Sequence, residues 1–167
     1  MPKHASSLLT VTLEGSYRGK GWQGPTLSGS LRGVTPAIAL ARPARGRKCI
    51  WDLVLHAAYW KYAVAAVIER HVLGVAEPAE FPRSPSNWPR LPDPPDAAAW
   101  KRDRTLLNQM HERVLAAAGR LNPADLDRRP SPKHKWPLTM YLAGIAAHDA
   151  YHCGQIQLLK RLARTPA

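Results

Sequence analysis

The chain has 167 residues and 45% apolar composition, enough for one domain with a core that needs no disulfide staples. Its 24 Lys and Arg against 12 Asp and Glu give a net charge of +12, but the cations fall in short scattered clusters (Arg42 to Lys48, Arg128 to Lys135, Lys160 to Arg164) with no interleaved aromatics, so nucleic acid is not the expected partner. No apolar run approaches the roughly 20 residues that cross a bilayer, and Met1-Pro2-Lys3-His4-Ala5-Ser6-Ser7 lacks an apolar core and cleavage site, so a cytoplasmic protein with no membrane contact is expected.

The first segment, 6–19, is ambiguous. Leu9, Val11 and Leu13 alternate as in a strand, yet Leu9, Leu13 and Tyr17 fit one helical face. Residues 19–26 are rich in glycine and polar side chains and read as a loop, with Trp22 packed on the body of the domain. Short helical turns are expected at 28–31 and 36–41, then a basic loop at 43–47. A long helix follows over about 50–73, where Trp51, Val54, Leu55, Ala58, Tyr62, Ala65 and Ile68 recur at spacings of three and four. The stretch 77–95 carries seven prolines, which lack the amide donor a helix needs, and reads as a long irregular connection.

Asp96 is a good N-cap for a helix to about Leu121, closed by Asn122-Pro123. A proline-rich basic loop spans 128–137. The last helix runs over about 138–163 and ends on Lys160, Arg161 and Arg164, where positive charge suits the helix dipole. Three long helices with irregular connections, and no internal repeat, predict an all-α bundle as a single domain over 1–167.

Seven histidines are present. In His148-Asp-Ala-Tyr-His152 a separation of four turns about 40° and rises about 6 Å along a helix, so both imidazoles share a face and can reach one ion. The zinc-protease pattern is not met, because Asp149 stands where that motif needs Glu. His56, mid-helix among Leu53, Leu55, Ala57 and Ala58, has the residue type for a third ligand, although a histidine on an apolar face is usually a satisfied core residue. His4 lies near the terminus, His71 near a helix end and His134 in a basic loop. His111, also mid-helix, is the one serious rival. Two cysteines, Cys49 and Cys153, are too few for a disulfide framework and read as packed free thiols.

The run Ile50-Trp51-Asp52-Leu53-Val54-Leu55-His56-Ala57-Ala58-Tyr59-Trp60-Lys61 resembles the first motif of the DinB-like (DinB/YfiT) metalloenzyme superfamily. Ala147-His148-Asp149-Ala150-Tyr151-His152-Cys153-Gly154-Gln155-Ile156 resembles its second, and Gly21-Trp22-Gln23-Gly24-Pro25-Thr26-Leu27 is similar to a stretch of one branch. The resemblance implies an up-and-down four-helix bundle, here with the long proline-rich connections read above, and therefore a helix in the first segment. It implies a divalent metal, nickel or zinc, on His56, His148 and His152, often in a homodimer. Some relatives are transferases or isomerases that use a low-molecular-weight thiol (bacillithiol, mycothiol or glutathione), and many have no known reaction. Cys49, where Ser or Thr more usually caps the helix, and Cys153, where a small residue is frequent, depart from the pattern.

Three protein ligands leave a tetrahedral ion one open position, as catalytic sites do, where a water or a thiol would be acidified. Helical spacing nominates neighbours. Asp52, four before His56, is a candidate acceptor for an imidazole N–H. Tyr59 and Trp60, three and four after it, could wall a pocket. Gln155, three after His152, could face the site, whereas Asp149, turned about 100° from His148, is expected to bond a neighbouring helix or loop. A metal-dependent transferase or hydrolase predicts a pocket over the ion. A non-catalytic, stress-associated metal-binding protein predicts a closed site, and a basic nucleic-acid-binding helical protein predicts one contiguous basic face.

Overall fold

A computed structural model describes residues 3–83 and 86–164, with side chains from residue 8 onward. His4, set aside as a ligand on sequence grounds, therefore lies outside the described side chains. The described chain is all-helical: α1 (Lys3–Tyr17), α2 (Leu27–Ser30), α3 (Pro36–Leu40), α4 (Ile50–His71), α5 (Ala97–Gly119), a 3-10 turn at Pro123–Asp125, and α6 (Leu138–Leu162). The two-residue bridge Gly21–Gly24 is the nearest approach to a sheet among the described residues. Also among them, no helix is long and apolar enough to cross a membrane.

Burial decides the ambiguous first segment. Leu13 and Tyr17 are buried while Val11 is 66% exposed, the outcome of a helical period and not of strand alternation, which would have put Val11 beside Leu13. Thr26 and Thr35 cap the short helices through their hydroxyl oxygens, and Asp96 accepts from the Ala99 amide at 2.7 Å to start α5. At the start of α4 the cap falls to Cys49, and the third residue of the helix compensates: the Asp52 carboxylate accepts from the Cys49 amide at 2.9 Å and pairs with Arg42 at 2.8 Å.

The four long helices share two adjoining cores. One gathers Trp51, Val54, Leu55, Trp100 and Leu107 near the start of α4; the other gathers Val64, Ile68, Val114, Leu142 and Ile145 toward its end. α4 packs most extensively on α5, and α6 lies against both α1 and α4. The Trp51 indole donates to the buried Asp103 carboxylate at 2.8 Å, so this large ring is buried without an orphaned N–H.

Within this framework lies a polar cluster that neither core absorbs. Lys61 of α4 is fully buried and bonded to the buried Asp149 of α6. Asp149 thus meets the neighbouring helix, as its helical direction suggested. The His111 ring, also fully buried, stacks on Tyr17 with centroids 3.9 Å apart and has Nδ1 3.4 Å from the Lys61 ammonium. Burial, reinforced by the charges of Lys61 and Arg18, holds the His111 pKa down to about 3. A histidine whose folded pKa lies below its unfolded value is charged more readily when unfolded. Its contribution is therefore intact above the unfolded pKa, about 6.5, and is lost as pH falls toward 3. In urea titrations of metal-free protein, the stability gap between wild type and His111→Phe should narrow from pH 7 to pH 4; a gap independent of pH would contradict this.

The described residues of the connection 77–95 are irregular but not loose. Phe81 is buried beside Tyr59 and Tyr62. Arg113 of α5 grips Glu69 through two nitrogens, at 2.9 and 2.6 Å, and donates to the Ala79 carbonyl at 2.8 Å. These contacts tie the connection to α4 and α5, and the same connection carries residues 87 and 88 to the site described next.

Candidate metal centre

His56 sits on the second turn of α4, and His148 and His152 on successive turns of α6. Because α4 and α6 pack side by side, the three rings face one another: Nε2 of His148 lies 3.2 Å from Nε2 of His56 and 3.0 Å from Nε2 of His152. Two nitrogens bound to one ion at about 2.0–2.1 Å would stand about 2.8–3.4 Å apart for bond angles between right and tetrahedral. The observed separations fall inside that window. These three residues form a group with ligand atoms all within 4.8 Å of one another.

The outer nitrogens show which way the inner ones are oriented chemically. His56 Nδ1–H donates to the backbone carbonyl of Asn87. His152 Nδ1–H donates to the Gln155 side-chain carbonyl at 2.6 Å. Each bond puts the ring proton on Nδ1 and leaves a lone pair on Nε2, aimed at the common point. Without a cation, two such lone pairs would converge on one another across His148. The donor set therefore fits a borderline divalent ion that favours imidazole. Burial lowers all three pKa values, in His56 and His152 against the opposing pull of Asn87 and Gln155, and in His148 to about 3 with help from the neighbouring rings. The imidazoles are thus held neutral at pH 7, the form that coordinates.

Around the centre, Trp88 stacks face to face on His56, with centroids 3.9 Å apart and planes 9° from parallel. Trp60 stands edge-on to His56 and His148 at 6.3 and 6.4 Å. A cavity of about 510 Å³, open on one side, lies over the three histidines, walled by Leu53, Trp88, Tyr151, Leu158 and Leu159, with Gln155 and Lys48 at its margin. That volume is in the range of small-molecule sites.

The residues nominated from sequence divide clearly. His56, His148 and His152 come together, Gln155 orients His152, and Trp60 flanks the rings. Asp52 does not serve an imidazole: its carboxylate turns back to Cys49 and Arg42 at the helix start, because the orphan amide donors of a first turn are closer than a ring one turn on. Its place is taken by the Asn87 carbonyl. Tyr59 packs against Phe81 and Tyr62 and does not line the cavity. His111 is committed to Tyr17 and Lys61, and His71 pairs with His134 with centroids 4.9 Å apart. Cys153 is buried with its thiol on the Pro25 carbonyl at 3.2 Å, facing α2 and not the histidines. Sequence reasoning missed Asn87, Trp88 and Lys48; a tryptophan inside a polar, proline-rich connection was the signal for the first two, and Lys48, just before α4, had none.

The sequence profile described as the DinB superfamily matches residues 23–156, a span that contains all three histidines, Lys48, Trp88 and Gln155. No match was found among curated proteins or among solved structures.

Proposed function

The chain belongs to the DinB superfamily, and from that premise we propose that it is a metal-dependent enzyme of the thiol-using transferase or hydrolase type, with nickel or zinc held by His56, His148 and His152. The observation that carries this reading is the convergence of three Nε2 atoms, two of them held as lone-pair bearers by bonds at Nδ1, at the floor of an open cavity. A purely structural ion is normally closed off by four protein ligands, whereas here the cavity reaches the histidines and leaves room for a further, exogenous one. When bound, the ion would supply Lewis acidity toward a thiol, a water or a carbonyl. The chain's own residues do the rest: Asn87 and Gln155 fix the imidazole tautomers, and Trp88, Leu53 and Leu159 exclude bulk water and strengthen polar interactions within. The four long helices are read as an up-and-down bundle. Homodimerisation is part of the same reading, supported by the apolar groove lined by Val11 and by Ala143, Ala147 and Ala150 of α6, where Trp22 stands fully exposed instead of packing on the body of the domain as its sequence context suggested.

The experiment is to load the purified protein with zinc or nickel and screen low-molecular-weight thiols against soft electrophiles and activated esters. Turnover that vanishes on chelation and returns with metal is the expected result; metal binding without turnover for any combination would favour a non-catalytic metal protein. Gln155→Ala should weaken zinc binding about 10- to 100-fold, the usual effect of removing the partner that orients a ligand. Competition with a chromophoric chelator measures it, and an unchanged affinity would remove Gln155 from the centre.

A further inference from the structure

We propose that the cavity over the histidines takes a small, mainly apolar carboxylate, its body on the leucine and tryptophan wall and its negative end on Lys48. The inference rests on reading this cavity as the substrate site, and it adds the charge and character of the occupant. The wall is mostly hydrocarbon: Leu53, Leu158, Leu159 and the faces of Trp88 and Tyr151. Such a lining rewards an apolar body by removing its surface from water and offers few partners to a polar one. At about 510 Å³ the space suits one small molecule.

Lys48 supplies the one feature that hydrocarbon cannot. Its ammonium is the charged group among the lining residues, and among the described residues no carboxylate side chain lines the cavity with it. Among the described residues no acidic partner pairs with Lys48 in an ion pair; its Nζ instead lies over the Trp88 ring, 4.4 Å from the centroid. A cation resting on an indole face keeps its N–H donors free for an anion while the ring restrains the stem. Lys48 and His56 thus both sit against Trp88, so a molecule anchored by a carboxylate at Lys48 extends along the apolar wall toward the histidines. A cationic ligand would meet a like charge, and a neutral one would gain nothing from the exposed ammonium.

The test is calorimetric titration of the full-length, zinc-loaded protein with 4-phenylbutyrate and with its neutral isostere 4-phenylbutanamide at low ionic strength. The carboxylate should bind about five- to tenfold more tightly, as a charge-assisted hydrogen bond at a partly exposed site allows. Lys48→Met should erase that preference while leaving the amide's affinity unchanged, and Lys48→Arg should retain it. Equal affinity for the two probes, no binding of either, or a preference that survives in Lys48→Met would overturn the proposal; the last result would mean that the carboxylate goes to the metal instead. Repeating the titration on zinc-free protein separates the two readings. Absence of zinc binding with a Lys48-dependent preference intact would count against the metal centre alone, whereas one zinc per chain with no preference would count against the carboxylate site alone.

Discussion

Replacing His148 with alanine is expected to lower zinc or nickel affinity by well over about 100-fold, beyond the 10- to 100-fold typical of removing an orienting partner, because a ligand itself is lost. His148 stands between the other two, with its Nε2 3.2 and 3.0 Å from theirs. Its removal leaves His56 and His152 with no bridging donor. Two imidazoles hold an ion far less firmly than three, and the fixed tautomers of His56 and His152 cannot compensate, since each keeps its proton on the outer nitrogen. His71→Ala is the matched control: that ring is exposed, engages His134 and should leave metal content unchanged. Elemental analysis after loading and desalting gives both values side by side. Equal metal in His148→Ala and wild type would exclude the three-histidine site.

Asp149→Ala is expected to destabilise the metal-free fold by about 3–5 kcal/mol, because it strands the fully buried Lys61 without its counter-charge. Burial pushes the Lys61 pKa down and the Asp149 pKa up, and the direct bond between them opposes both shifts. Neither group would stay charged there alone. The pair is not by itself a large source of stability, since desolvation of two ions offsets most of their attraction. Hence the double variant Lys61→Met, Asp149→Leu should recover most of the loss, with strong coupling in a double-mutant cycle. Urea unfolding without metal isolates this effect from any change at the adjacent His148. A loss below about 1 kcal/mol in Asp149→Ala, on the scale of an exposed pair, would contradict the burial on which the argument depends.

The clustering of the three histidines was legible in two parts: the His148–His152 spacing forces a shared helical face, and the order of the two motifs brought in His56. The helices after the first segment were legible from apolar period and caps, with observed ends within two residues of those expected. Where the sequence misled, a competing local demand or a tertiary contact was responsible. Asp52 shares the His56 face by spacing, but the open amides at the start of α4 claimed its carboxylate. Asn87 and Trp88 belong to a segment without periodicity, so nothing local says which helix it will cross; that is decided by distant contacts such as Arg113 on Ala79. Lys61 was legible in principle. It interrupts the buried stripe Val54, Ala58, Ala65, Ile68 at the spacing of a core residue, and a lysine there requires a buried acid, which Asp149 provides. The first segment shows the limit of pattern alone, since Leu9 and Leu13 fitted a strand with Val11 and a helix with Tyr17 until burial chose Tyr17.

X-ray absorption at the zinc edge, on protein loaded with one equivalent and desalted, tests the metal centre most directly. The account predicts an ion with three imidazole nitrogens at about 2.0–2.1 Å and a remaining light-atom ligand not supplied by the protein. A spectrum with fewer than three imidazoles, with a sulfur from Cys49 or Cys153, or from protein that retains no zinc would contradict it.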